Sequence, residues 1–272
     1  MRNLLKKHIK RAFNAVGLEV SRMPSTHNLP PCQPKQKTKE ELLAKLDDPF
    51  RSVLLSMYEG QPQCGIDGQF YPLDKVTSIS PEQGVLIYDL CLSTKPRSTL
   101  EIGMAYGFST MYFLAAATKN QQGHHTAIDP FQKSHWHGIG ETHANEYAPK
   151  WGAEKAFCLI EDRSDRVATD LARADKCYDV IFIDGNHRFD DVLVDFYLYA
   201  QLCTIGGRII FDDMWMSSVQ TAVDFIRTNR SDFMELRSSC SNVAIFQKLG
   251  EDNRRWYEFQ EFKVSPSTID IK

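Results

Sequence analysis

Four side chains in this sequence have the types and spacing to do chemistry together: Asp184, His187, Asp212 and Asp213. Asp184 and His187 are the ends of Asp184-Gly185-Asn186-His187, which follows the apolar run 180–183. Asp212 and Asp213 follow a second apolar run, 209–211. Three carboxylates at two neighbouring strand ends repel one another unless a positive group sits among them. All-oxygen ligands of this kind suit Mg²⁺, which keeps waters or substrate oxygens in its remaining positions. The plain alternative is an ion-pair network with Arg188 or Arg208. His187 reaches the same space, and an imidazole can take a proton from a hydroxyl. Its other two readings are a metal ligand and a structural histidine.

A second group reads as a nucleoside site. In Glu101-Ile-Gly103-Met-Ala105-Tyr-Gly107-Phe-Ser109 the glycines let the backbone approach a ligand, and the helix that follows offers free N–H groups. Glu101, an acid at a strand end, suits the amino group of a methionine moiety. Asp129, in Asp129-Pro-Phe-Gln132, lies about two dozen residues beyond the glycine loop, a spacing that suits ribose hydroxyls. Ser164 faces an adenine edge or caps the helix that it precedes.

These residues need a scaffold that gathers them. Strand patterns fall at 99–102, 125–128, 156–160, 178–183 and 208–211, and helical patterns at 80–91, 109–118, 166–174, 189–200 and 219–228. Alternation of this kind predicts an α/β chain with a mostly parallel sheet covered on both faces. Two final strands, 233–237 and 243–247, are joined by only Ser-Ser-Cys-Ser-Asn, which permits a hairpin and so an antiparallel edge. Ligands in such sheets bind beyond the carboxyl ends of the strands, where all the residues above stand. Residues 132–151, with His135, Trp136, His137, His143 and Tyr147, read as a long irregular insertion that contacts substrate. Zinc is disfavoured there, because no cysteine accompanies the histidines.

Taken in order, the glycine loop, Asp129-Pro-Phe-Gln, Phe-Ile-Asp184-Gly-x-His187 and Gly206-Gly-Arg-Ile-Ile-Phe-Asp212-Asp213 resemble a bacterial family of class I S-adenosylmethionine-dependent methyltransferases related to the catechol and macrocin O-methyltransferases. The resemblance covers about residues 80–248. It implies a Rossmann-like three-layer fold with a seven-stranded sheet ending in the hairpin. It implies a cofactor, S-adenosyl-L-methionine, surrounded by Glu101, Gly103, Ala105, Gly107, Ser109, Asp129, Ser164 and Asp184. It also implies a metal held by Asp184, Asp212 and Asp213. The catechol enzymes carry Asn where Asp213 stands and Lys where His187 stands. The Asp-Asp pair looks more like the macrocin type, whose substrate is a sugar hydroxyl. Many methyltransferases have a third glycine where this chain has Ala105. The expected activity is metal-assisted O-methylation of a hydroxyl on a glycan or small molecule, with His187 removing the proton. Two readings compete. One is a nicotinamide-dependent oxidoreductase, disfavoured because Gly107 is four residues beyond Gly103 rather than two. The other is a non-catalytic domain that binds S-adenosylmethionine as a scaffold.

The rest of the chain bounds this reading. Hydrophobic residues at 42% and charged residues at 25% are those of a globular protein with a sizeable core. Seven cysteines without Cys-x-x-Cys spacing read as reduced, buried hydrophobes. Residues 1–48 hold ten Lys/Arg against five Asp/Glu, a net +5, so the body from 49 to 272 carries −8 of the chain's total of −3. An acidic body argues against nucleic acid as a partner. Within the head, residues 2–16 form a basic amphipathic pattern, with Leu5, Ile9, Phe13 and Val16 on one side and Lys6, Lys7, Lys10 and Arg11 around them. It is too short and too charged to span a membrane. It suits either an anionic membrane surface, with the protein cytoplasmic and peripheral to the inner face, or docking on the body or on a second copy in a homo-oligomer. A Pro-rich linker follows it.

Overall fold

The computed structural model describes residues 37–74 and 76–263. The basic helix expected over 2–16 and most of its linker lie outside the described residues. The folded body begins earlier than position 49. A reciprocal capping box, Thr38 to the Glu41 backbone and Glu41 back to Thr38, starts a short helix α1 (Lys39–Leu43), and Leu42, Leu43 and Leu46 are buried.

After it come α2 (Phe50–Tyr58), the two-residue strands β1 (Gln63–Cys64) and β2 (Phe70–Tyr71), and α3 (Pro81–Thr94). The alternating part follows: β3 (Ser98–Ile102), α4 (Phe108–Asn120), β4 (His124–Ile128), α5 (Ile139–Tyr147), the small hairpin β5 (Lys150–Trp151) and β6 (Glu154–Lys155), β7 (Phe157–Ile160), α6 (Ser164–Arg173), β8 (Tyr178–Ile183), α7 (Phe189–Leu202), β9 (Cys203–Phe211) and α8 (Ser217–Asn229). The chain closes with β10 (Phe233–Leu236) and β11 (Ala244–Lys248).

Seven strands make the central sheet, in the order β10-β11-β9-β8-β3-β4-β7. The five from β9 to β7 are parallel; β11 runs antiparallel to β9, and β10 pairs antiparallel with β11 at the edge. This is the Rossmann-like methyltransferase sheet with its C-terminal hairpin. Strand residues alternate between two cores. Val180 and Phe182 face α1 to α5, whereas Ile181 and Ile183 face α6, α7 and α8. Both faces are therefore covered, which is why β8 reads as a continuous apolar run.

The chain builds outward from β3 through β4 to β7, then returns to lay β8 on the other side of β3. The strand order thus reverses between β3 and β8, and a crevice opens beyond their carboxyl ends. The stretch 132–151 is more ordered than its composition suggests. It contains α5, whose Ile139, His143 and Ala144 are buried, and it packs against the β1–β2 hairpin. Ile66 N–H donates to the His137 carbonyl at 2.9 Å, and the Tyr71 ring stacks on His137 at 3.8 Å.

Candidate active site at the carboxyl ends of the strands

The loop after β3 is shaped by close approach. Gly103 has φ +88°, and a Cβ there would lie 2.1 Å from the Asp184 carbonyl oxygen. Gly107, at φ +86°, abuts Gly140 of α5 in the same way. Ala105 also takes the left-handed conformation, with φ +46°, at the position where a third glycine would sit without strain. Asp129 holds this loop from the end of β4. Its Oδ2 accepts the N–H groups of Met104 (3.1 Å) and Ala105 (2.8 Å), and its Oδ1 accepts that of Phe131 (2.8 Å). A carboxylate has about four acceptor positions, so Oδ1 keeps capacity for a hydroxyl. Gln132, fully buried, donates to the Ala105 carbonyl at 2.6 Å, and its Oε1 has no partner.

Two expected cofactor contacts are otherwise engaged. Glu101 is 0% exposed, and its carboxylate accepts from Ser109 Oγ at 2.6 Å and from Thr110 Oγ1, with His125 Nε2 3.1 Å away. It is enclosed under the start of α4, because at the last-but-one position of β3 its side chain projects into the layer that α4 covers. Glu101 and Ser109 brace the loop from beneath. Ser164 likewise turns inward, donating to Asp195 Oδ1 at 2.6 Å, while its carbonyl accepts from the Tyr199 hydroxyl. It is the first residue of α6 and caps nothing with its side chain.

The acidic cluster is real but differently composed. Among the described residues, Asp184, His187 and Asp213 place one donor atom each within 4.8 Å of one another. His187 Nε2 is 2.8 Å from Asp213 Oδ2 and 3.4 Å from Asp184 Oδ1. Asp212 stands behind them, 4% exposed. Its Oδ1 accepts from Gln83 Nε2, from Asn242 Nδ2 at 3.1 Å and from the Asp213 N–H at 2.7 Å. Among the described residues the geometric group is therefore Asp184, His187 and Asp213, with Asp212 directly behind it. The cause is local: successive side chains of an extended strand point to opposite sides, and Asp213 turns out of the strand with φ +55°.

Charge in the cluster balances internally. Hydrogen bonds to Asp184 and Asp213 raise the His187 imidazole to about 10, so it is an imidazolium at neutral pH. Burial holds the Asp184 carboxyl above its ordinary range. Burial, with the Asp184 charge nearby, does the same to Asp212. Burial also acts to raise Asp213, but hydrogen bonds from His187 and Trp215 bring it below the ordinary value.

Sequence reasoning did not find the residues that hold this cluster. Gln83 is the third residue of α3 and belongs to its capping box, its Oε1 accepting from Ser80 N–H at 2.7 Å while its amide reaches Asp212. Asn242 comes from the β10–β11 connection. Trp215 donates from Nε1 to Asp213 Oδ1 at 2.8 Å. The capping signature Ser80-x-x-Gln83 was visible, but not its second use. The histidines of the insertion stay apart from any cluster, with His143 buried against Gln63 at 3.0 Å.

Residues 100–214, which run from the glycine loop's strand to this cluster, match the sequence model of a methyltransferase domain family. This part of the chain is similar to methyltransferase domains. Solved structures agree in fold. The chain resembles the O-methyltransferase TomG from Streptomyces achromogenes, involved in tomaymycin synthesis and solved with S-adenosylmethionine (TM-score 0.56, 17% identity, 75% of this chain and 91% of that one). Cofactor-bound Rv0187 from MTB gives a TM-score of 0.57 at 15% identity over 79% and 99%. The O-methyltransferase from Bacillus cereus, bound to S-adenosylhomocysteine, gives 0.53 at 14% identity over 89% and 97%. An uncharacterized protein of Acanthamoeba polyphaga mimivirus is 42% identical over 52 residues, which are 18% of this chain and only 24% of the viral protein. No helix among the described residues is long and apolar enough to cross a membrane.

Proposed function

We propose that this protein transfers the methyl group of S-adenosylmethionine to a hydroxyl oxygen of a glycan or small-molecule acceptor, with a divalent metal assisting. The observation that carries this reading is the contact of Gly103 with the Asp184 carbonyl. It sets the loop that would cradle the cofactor directly against a cluster with two carboxylates and an imidazole. Free backbone N–H groups at the start of α4 and the remaining acceptor positions of Asp129 suit the methionine carboxylate and the ribose.

The carboxylates of Asp184 and Asp213 form a donor set that would hold a divalent cation, with Asp212 behind them orienting the Asp213 backbone. A bound cation would supply Lewis-acid polarisation of the acceptor hydroxyl. His187 is held as an imidazolium by two carboxylates, so it accepts a proton only once those carboxylates are engaged elsewhere. Its own Nε2 proton would then pass to solvent, and the free Nε2 would take the hydroxyl proton while the oxygen attacks the methyl carbon and the carbon–sulfur bond breaks. Holding the two reacting atoms together supplies much of the acceleration.

TomG acts in a small-molecule pathway and is described as an O-methyltransferase, which supports oxygen as the atom methylated. A basic head that suits an anionic membrane surface supports a lipid-linked or cell-surface sugar as acceptor. The test is a methyl-transfer assay with isotopically labelled cofactor and a panel of glycan and phenolic acceptors, run with Mg²⁺, with Mn²⁺ and with chelator. Metal-dependent labelling of a hydroxyl supports the reading. Labelling of nitrogen or carbon, or equal labelling under chelation, contradicts it.

A further inference from the structure

Trp215 is an unusual residue to find beside an acidic cluster. It is 52% exposed, yet it is fixed at two points: its Nε1 donates to Asp213 Oδ1 at 2.8 Å, and its backbone N–H donates to Asn242 Oδ1 at 3.2 Å. Met214 N–H donates to the Asn242 carbonyl at 3.1 Å, so the segment on both sides of the cluster is tied to the β10–β11 connection. No other aromatic ring packs on the indole among the described residues. A large apolar face is therefore held still, open to solvent, with its polar edge on Asp213. The indole thus presents an apolar surface beside the carboxylates of the cluster.

We propose that Trp215 is the platform on which the acceptor lies, and that the acceptor is a sugar ring. The inference rests on the proposed function and narrows it. A pyranose has one face lined by C–H groups and a rim of hydroxyls. The first matches a one-sided aromatic platform, and the second matches carboxylates and an amide at the platform's edge, here Asp213, Asp184 and Asn242. The polar groups fixed at the indole's edge suit a ring rimmed with hydroxyls better than a flat apolar one. The bond between Nε1 and Asp213 sets the ring height relative to the cluster, so that a rim hydroxyl reaches His187. Trp215 thereby acts in binding and selection of the acceptor.

The test uses the full chain saturated with S-adenosylhomocysteine. Saturation-transfer NMR is recorded with a set of methyl pyranosides and, separately, with catechol, on the wild type and on Trp215→Ala and Trp215→Phe. The expected result is transfer to the ring C–H protons of one pyranoside face. That signal should fall about tenfold in Trp215→Ala, a loss equivalent to one decade in affinity. Trp215→Phe keeps an aromatic face without the Nε1 bond and should retain most of it. A Phe variant that behaves like the Ala variant would mean that Trp215 acts only through Asp213, and would overturn the platform. Preference for catechol, no transfer to any pyranoside, or transfer unchanged in Trp215→Ala would overturn it as well. Calorimetry with S-adenosylhomocysteine separates the two claims. Intact nucleoside binding with no sugar contact overturns this inference alone, and absent nucleoside binding in the wild type overturns the proposed function with it.

Discussion

His187 Nε2 lies 2.8 Å from Asp213 Oδ2, so the cluster at the ends of β8 and β9 carries its own counter-cation. A histidine three residues beyond Asp184 reaches across to the neighbouring strand end and pairs with two carboxylates at once. Replacing it by Ala removes both the counter-charge and the proton acceptor. Turnover in the methyl-transfer assay should fall roughly 10²–10⁴-fold, with S-adenosylhomocysteine affinity little changed. The same contact has a pH signature. The folded-state value, about 10, lies above the ordinary 6.5. The stability it contributes is therefore complete below pH 6.5 and lost as pH rises through about 10. Melting temperatures of chelated wild type should drop between pH 7 and pH 10 more steeply than those of His187→Gln. Parallel curves would count against the pair.

Glu101 supports the glycine loop from inside. In Glu101→Ala, the Ser109 and Thr110 hydroxyls lose a shared buried acceptor, and His125 loses the carboxylate beside it. Leaving buried donors unpaired costs about 1–3 kcal/mol each. Denaturant unfolding should show a loss of several kcal/mol, and nucleoside affinity should weaken only in step with folding. A variant of undiminished stability that loses cofactor binding would restore the contact expected from sequence.

Gly103 cannot carry a side chain. At φ +88°, with a Cβ 2.1 Å from the Asp184 carbonyl, Gly103→Ala forces β3 and β8 apart at the crevice. The expected outcome is a stability loss above about 3 kcal/mol, or loss of nucleoside binding in whatever protein folds. Ala105→Gly is the opposite case. Its left-handed φ of +46° is relieved by glycine, so its stability should stay within about 1 kcal/mol of the wild type.

Asp195 is a buried acid, 4% exposed, bonded only to Ser164, and burial raises its carboxyl from 3.8 to about 6. With the folded value above the unfolded one, its contribution is favourable below pH 3.8 and lost as pH rises through about 6. The shift corresponds to on the order of 3 kcal/mol at neutral pH. Asp195→Asn keeps an acceptor for the Ser164 hydroxyl without the charge. It should melt above wild type at pH 8, and the gap should close as pH falls through 6 toward 4. A gap independent of pH would contradict this.

The sheet was legible in the sequence because each parallel strand is a short apolar run ended by an acid or a glycine. The five-residue connection before Val243 allowed only a hairpin. The choice of Asp184, His187 and Asp213 was legible in part. The residues were named, but which of Asp212 and Asp213 faces the cleft depends on a single left-handed turn that Asp does not announce. The helix Ile139–Tyr147 was missed because its mean polarity hides a three-residue apolar face, and it starts from a left-handed glycine rather than from a side-chain cap. Gln83 and Asn242 lie 129 and 30 positions from Asp212. Their roles exist only once α3 and the hairpin are folded against β9, and no local pattern carries them.

The central claim is that the crevice between β3 and β8 binds S-adenosylmethionine beside a cation-competent acidic cluster. Calorimetric titration of the full chain with S-adenosylhomocysteine, with and without a divalent metal, tests it most directly. The account predicts micromolar nucleoside binding under both conditions, and metal binding that is lost in Asp213→Ala while the nucleoside still binds. No heat of nucleoside binding under either condition, from protein with a cooperative melt, would contradict it.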